Sequence, residues 1–100
     1  MRQPKIETAV RIYHEYIELG NTEIRCLFGN DIGTATIVRL KKAAFEAMAK
    51  ADVRAITPYA VNTKIAFATW GLDITDLERR YKKLTSLGFS TNTDNLEPVK

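Results

Sequence analysis

Residues 22–42 read TEIRCLFGNDIGTATIVRLKK, and their pattern indicates a helical fold. A short helical run over residues 22–28 leads into a turn rich in glycine, asparagine and aspartate, and a longer, alanine-rich helical run then extends to about residue 50. Thr34 or Thr36 is positioned to cap the longer helix. Apolar residues recur three or four positions apart along it, at Ile37, Leu40, Ala44 and Met48. The stretch therefore predicts two helices joined by a tight turn.

The residues before this stretch predict another helix. Residues 5–19 carry apolar side chains at helical spacing, and Gly20 follows as a helix stop, because glycine adopts the left-handed conformation at little cost. Asn21 or Thr22 then caps the short helix, since both side chains accept hydrogen bonds from free backbone N–H groups. The N-terminal half is thus expected to be helical throughout.

After the long helix, the pattern predicts a connector and two more helices. Residues 52–60 contain Pro58, which lacks a backbone N–H and therefore interrupts the long helix. A short helix is expected over residues 64–70. Asp73 caps the last helix, which keeps apolar residues at helical spacing up to Gly88. These elements complete an all-α prediction.

Residues 53–70 leave a second interpretation open. Ile65, Phe67 and Thr69 fall on alternate positions, a period that suits a β-hairpin and would give a winged-helix variant. The cap at Asn62, the neighbouring alanines and a terminating glycine favour the short helix over the hairpin. Either form leaves the preceding pair of helices in place.

The whole pattern predicts one small all-α domain over residues 1–89, followed by a flexible polar tail over residues 90–100. An internal echo appears when residues 21–48 are laid over residues 62–89, an offset of 41 positions with 7 identities in 28. Two interpretations of the echo stay open. Either the chain contains two similar helical hairpins, or two unrelated hairpins share the same caps and basic surface residues by chance.

Composition narrows the function classes. The chain has 100 residues, 15 Lys+Arg, 12 Asp+Glu and a formal net charge of +3, so it has room for one core but not for a core with a deep cofactor cleft. The single cysteine, Cys26, excludes an internal disulfide and a thiolate metal site, and it suits a reduced environment. No stretch has the roughly 18 consecutive apolar residues of a membrane span. A soluble, cytoplasmic protein is expected.

The stretch over residues 22–42 resembles the helix-turn-helix of small DNA-binding regulators, including those of phages and mobile elements. In that motif, apolar side chains fill the angle between two crossing helices. The corresponding apolar positions here are Ile24, Phe28, Ile32, Ile37 and Leu40. Gly29 provides the turn, which Asn30 and Asp31 lengthen, and Arg25 stands where the motif usually has a small residue. The motif as a whole extends over about residues 22–50.

The resemblance implies that the second helix is a recognition helix, whose N-terminal turn enters the major groove of double-stranded DNA. Arg39 is the leading candidate for a base contact, because its guanidinium group can pair with two acceptors of guanine. Thr34 and Thr36 can bond base edges or phosphates, and Ala35 can contact a thymine methyl group. Phosphate contacts are expected further along the helix, at Lys41, Lys42 and Lys50.

A second basic run surrounds a central tyrosine. Its members are Arg79, Arg80, Lys82 and Lys83. Two interpretations apply to both basic runs: a contact surface for nucleic acid, or an ordinary solvated helix face. In the second run, acidic residues early in the helix and basic residues late also suit the helix dipole. As a DNA-binding candidate the run is a clamp on the nucleic-acid backbone, or a second reading helix if the internal echo is a true repeat.

Catalytic and metal chemistry are not indicated by the sequence. His14 has one neighbouring carboxylate, Glu18, whereas a metal site needs three or four ligands. Cys26 lacks a third group that would orient a nucleophile and its base. We therefore predict no enzymatic activity, no metal and no cofactor.

The sequence leads to one functional hypothesis and one alternative. The hypothesis is a sequence-specific DNA-binding protein, a transcriptional regulator or mobile-element accessory factor. A homodimer is expected with it, because one helix reading a short site gives low affinity. The alternative is a helical protein–protein interaction or oligomerisation module without DNA binding.

Overall fold

A computed structural model describes residues 2–88, which form five helices and one two-stranded antiparallel sheet. In chain order the elements are α1 (Ile6–Glu15), β1 (Glu18–Leu19), α2 (Asn21–Phe28), α3 (Thr34–Lys50), β2 (Val61–Asn62), α4 (Thr63–Thr69) and α5 (Ile74–Ser86). The all-α prediction is confirmed to the extent that the described residues are mostly helical, and the small sheet departs from it. The tail predicted over residues 90–100 lies outside the described residues.

The predicted first helix, over residues 5–19, is wrong at its C-terminal end. α1 stops at Glu15, after which the backbone is extended. β1 follows and pairs antiparallel with β2, so that Leu19 lies opposite Val61. Both side chains are fully buried. Burial across this ladder therefore outweighs the helical spacing of the local sequence.

The start of α2 also differs from the prediction. Gly20, expected to stop the preceding helix, is the N-cap of α2, and its backbone N–H donates to Glu23 Oε1 at 2.8 Å. Asn21 and Thr22, the predicted caps, lie inside the first turn. Glu23 accepts this hydrogen bond because a side chain three positions after the N-cap can reach back to the backbone N–H of the cap residue. α3 likewise begins directly after Gly33, and the threonines predicted to cap it lie within the helix.

The cap of α4 agrees with the prediction and provides a test of stability. Asn62 Oδ1 accepts a hydrogen bond from the Ile65 N–H at 3.0 Å. In Asn62→Ala this bond is lost, and we expect the free energy of unfolding to fall by about 1 kcal/mol, as measured by chemical denaturation. Asn21→Ala is the matched control. Asn21 is the equivalent residue of the echo but caps no N–H, so an equal loss in both variants would contradict the capping role.

The β-hairpin considered for residues 53–70 is not formed. Residues 63–69 are helical. β2 pairs with β1, which lies much earlier in the chain, and not with a second strand within residues 53–70. Ala66 and Phe67 are both buried in the core. The stretch therefore buries its apolar side chains as one short helix.

One hydrophobic core holds the elements together. α1 packs against α5 and α2, while α3 packs against α4 and β2. The largest fully buried side chains are Leu19, Ile24, Ile37, Val61 and Phe67. Trp70 joins three helices: its Nε1 donates to the Leu40 carbonyl at 2.9 Å, and its ring meets Phe28 edge-on with centroids 5.8 Å apart. Within residues 2–88, no helix has the length and apolar character to cross a membrane.

The internal echo corresponds to a repeated order of elements. β1, α2 and α3 in the first half are matched by β2, α4 and α5 in the second. The two long helices differ in packing, however. α3 buries Ile37, Ala44 and Met48, whereas α5 has no fully buried residue. The halves therefore share an order of elements but contribute unequally to the core.

Candidate nucleic-acid interface

The N-terminal half of α3 presents one exposed face. The exposed residues are Ala35, Val38, Arg39 and Lys42. They are surface neighbours because residues three and four positions apart lie on the same side of a helix. The buried residues of the opposite side are Ile37, Ala44 and Met48. Thr34 is exposed at the first turn and Thr36 is half-buried. With Lys41, six of the predicted site residues thus lie in the first nine positions of a helix whose other side is buried.

The cations of α3 have no acidic partner among residues 2–88. In this part of the chain, Arg39 makes one side-chain hydrogen bond, from Nη2 to Thr36 Oγ1 at 3.3 Å. Within residues 2–88, no ion pair at 4.0 Å or less involves Arg39, Lys41 or Lys42. Glu46 is exposed one turn after Lys42 but does not pair with it. The positive charges on this face are therefore available to an external anion.

Lys41 differs from the other predicted cations of α3 in its side-chain contact. It is half-buried, and its Nζ donates to Asn21 Oδ1 at 3.1 Å, at the start of α2. Lys41 and Lys42 border one surface of α3, but the Lys41 ammonium is bound at the α2 N-terminus. Lys50 is exposed at the last position of α3, about 16 Å from Arg39 along the helix axis.

The second predicted basic run lies on a different helix and is partly neutralised. On α5, Arg79 Nη2 lies 3.2 Å from Asp76 Oδ1, and Arg80 Nε lies 2.7 Å from Asp76 Oδ2. Lys82 and Lys83 are exposed on the next turn. α5 packs mainly against α1, whereas α3 packs mainly against α4 and β2. The two basic runs therefore lie on helices that are not main packing partners of each other. The α3 face is the better candidate interface.

The turn between α2 and α3 is built around Gly29. Its φ of +105° is a value that residues with a Cβ rarely adopt. The Gly29 carbonyl accepts from the Ile32 N–H at 3.2 Å, and Ile32 is buried. Of the apolar positions that carry the resemblance, Ile24, Phe28, Ile32 and Ile37 are buried and Leu40 is half-buried against the core. Arg25 is half-buried, and α2 packs on α1 and β1 rather than along α3.

Two residues at this face were not predicted from the sequence. Val38 is 59% exposed although it is apolar, and Tyr59, from the loop before β2, is 82% exposed. Together with Phe45 and Ala49 they line a shallow apolar groove along α3. A helical wheel could have placed Val38 between Ala35 and Lys42. No local pattern signals that the loop returns to α3.

His14 and Cys26, the residues weighed for catalysis or metal binding, lie on different helices. His14 Nε2 lies 2.8 Å from Glu78 Oε2 in a contact between α1 and α5, and both side chains are half exposed. Cys26 is exposed on α2. Among the described residues, no three His, Cys, Asp or Glu side chains are grouped closely enough to hold a metal ion.

Comparison of the chain with protein-family models, with curated proteins and with solved structures gives no match. The exposed face of α3, whose cations pair with no carboxylate within residues 2–88, is the main candidate for a functional surface.

Proposed function

We propose that the chain binds double-stranded DNA in a sequence-specific manner, as a regulator or accessory factor, with α3 as the recognition helix of a helix-turn-helix. The observation that carries this proposal is the exposed N-terminal half of α3. There, Arg39 and Lys42 have no carboxylate partner within the described residues, while the other side of the helix is fixed in the core. A helix of this kind fits the major groove, which is about 12 Å wide.

The exposed residues of α3 match the chemistry of base edges. Arg39 can donate two hydrogen bonds to O6 and N7 of guanine. Thr34, at the first turn, can donate to a phosphate oxygen or a base edge. Ala35 and Val38 offer the small apolar surface that suits a thymine methyl group. Base reading is therefore assigned to the N-terminal half of the helix.

Backbone contacts are assigned to the cations around this face. Lys42 lies one turn beyond Val38, and Lys41 is held at the start of α2 by Asn21. The free N–H groups of a helix start favour anions, so Lys41 and the start of α2 together suit a phosphate. Lys50, Lys82 and Lys83 contribute longer-range attraction to the polyanion.

The decisive experiment measures DNA affinity for the double variant Arg39→Ala with Lys42→Ala. Duplexes of about 20 bp, two helical turns, are first selected for binding from a random pool with the unaltered protein. We expect the double variant to bind the selected duplex about tenfold to a hundredfold more weakly, because it loses a bidentate base contact and a phosphate contact. Fluorescence anisotropy at several salt concentrations measures both the dissociation constant and its salt dependence.

The matched control is the double variant Arg79→Ala with Lys82→Ala, which removes the same net charge from α5. It should lower affinity by a smaller factor and by about the same factor on selected and random duplexes, since it acts through phosphate attraction alone. Equal losses in both double variants on the selected duplex would refute α3 as the reading helix. An unaltered protein that binds no duplex at low salt would refute DNA binding itself.

An interaction module is the second candidate function, and the surface beside the sheet favours it. Ile17 and Ile56 are 73% and 76% exposed. The Glu18 carboxylate accepts the backbone N–H groups of Ile56 and Thr57, which holds their loop beside β1. Light scattering of the unaltered protein and of Ile17→Lys with Ile56→Lys tests this candidate. A dimer that becomes a monomer in the variant would support it, and a monomer in both would exclude self-association through this surface.

A further inference from the structure

Tyr59 has a backbone conformation that tyrosine seldom adopts. It is the third residue of the turn over residues 57–60, in which the Ala60 N–H donates to the Thr57 carbonyl at 3.2 Å. Pro58 precedes it, and its own φ is +68°. Turns with proline second and a positive φ third ordinarily have glycine or asparagine at the third position. Tyr59 is therefore strained where glycine would not be.

Burial does not explain why a tyrosine occupies this position. Its side chain is 82% exposed. The loop is held independently of that side chain, because the Glu18 carboxylate accepts the N–H groups of both Ile56 and Thr57. Strain that is offset neither by burial nor by a structural bond is typical of residues with a functional role.

The position of Tyr59 links it to the face of α3. Its side chain lines the apolar groove formed with Val38 and Phe45. Lys41 and Lys42 border the same groove, and neither has a carboxylate partner within residues 2–88. With Glu46 as the one acid among the groove residues, their formal charge is positive. The ligand best suited to this groove and its basic edge is therefore an anion that also has an apolar part.

We propose that Tyr59 contacts the sugar–phosphate backbone of DNA at the edge of the major groove that α3 enters. The phenol hydroxyl donates to a phosphate oxygen, while the ring packs against the adjacent sugar. This inference rests on the proposed function and adds to it a positioning residue outside the recognition helix. Tyrosine is among the side chains that bond phosphate oxygens and so set the register of a protein on the duplex.

The DNA affinity contributed by a cation falls with salt concentration, whereas the affinity contributed by a neutral donor does not. This difference provides the test. Lys42→Ala removes a charge and is expected to reduce the slope of log affinity against log salt by about 0.9. Tyr59→Phe removes only the hydroxyl. We expect it to weaken binding about tenfold with an unchanged slope, because no counterion is released at a neutral side chain. The probe is the selected duplex, and fluorescence anisotropy is the measurement.

Tyr59→Gly separates function from folding. Glycine adopts a φ of +68° without strain, so thermal unfolding should show a melting temperature that is not lowered, while DNA affinity falls at least as far as in Tyr59→Phe. Thr57→Ala, an exposed substitution in the same turn, is the control and should leave affinity unchanged. If the unaltered protein binds DNA and both Tyr59 variants bind equally well, this inference alone fails. A lower melting temperature in Tyr59→Gly would instead make Tyr59 a folding residue and also overturn the inference.

Discussion

Replacing Phe67 with alanine is expected to lower the free energy of unfolding by about 3–5 kcal/mol, the largest effect of any substitution considered. Phe67 is 1% exposed in α4, and its ring meets Tyr13 of α1 edge-on, with centroids 5.1 Å apart. The variant loses both the transfer free energy of the ring and the packing around it, because the surrounding helices relax only in part. A domain of this size has a total stability of about 5–15 kcal/mol, so much of it would be lost.

Thermal and chemical denaturation, followed by circular dichroism, measure this loss. Each kcal/mol corresponds to about 4–8 °C in a domain of 60–100 residues, and we therefore expect a melting temperature lower by tens of degrees or a chain that is unfolded at 25 °C. Ile56→Ala is the control, since Ile56 is 76% exposed and surface substitutions usually change stability by less than about 0.5 kcal/mol. A small effect at Phe67 would mean that the core is not organised around α4.

The helices could be predicted from the sequence because their signals are local. In α3, apolar spacing and alanine content act together over 17 residues. The side chain of Asp73 accepts the Thr75 N–H at 3.0 Å, as its position before an apolar run predicted. These features depend on residues only a few positions apart, so no knowledge of the rest of the chain is needed.

The sheet could not be predicted, because its signal is not local. β1 and β2 have two residues each, too few to show the alternation that marks a strand. Their pairing joins Leu19 to Val61, which are separated by nearly half of the described chain. The sequence around Leu19 continues the helical spacing of α1, and only the burial of both side chains against the core favours the extended form.

The candidate site, too, could be predicted from the sequence only where its features are local. The exposed positions of α3, Arg39 among them, follow from helical periodicity, and so does the buried side that fixes them. The position of the Lys41 ammonium depends on the contact with Asn21 of α2, and the position of Tyr59 depends on the return of its loop to α3. Periodicity gives the face of one helix, whereas contacts between elements decide which side chains share a surface.

Gly29→Ala is the second substitution with a large expected effect, and it tests the turn on which the position of α3 depends. Gly29 has φ +105° and ψ 148°, a combination that is nearly restricted to glycine. A Cβ on this backbone would lie 2.8 Å from Asp31 Oδ1. The Asp31 side chain is exposed and can move, so the backbone angle dominates the cost. We expect the free energy of unfolding to fall by about 1–3 kcal/mol, measured by urea denaturation.

Gly33→Ser is the matched control at the other end of the same turn. Gly33 has φ −74°, and nothing lies within 4 Å of the position of its Cβ. As the N-cap of α3, a serine there can accept a free N–H, so stability should be kept or raised by a few tenths of a kcal/mol. If Gly29→Ala unfolds like the unaltered protein, the turn does not require its backbone angle. If it is destabilised as expected, the folded fraction should also bind the selected duplex more weakly than Gly33→Ser. The angle at Gly29 sets the direction in which α3 leaves α2, and a strained turn would shift the exposed face of α3 relative to the α2 N-terminus.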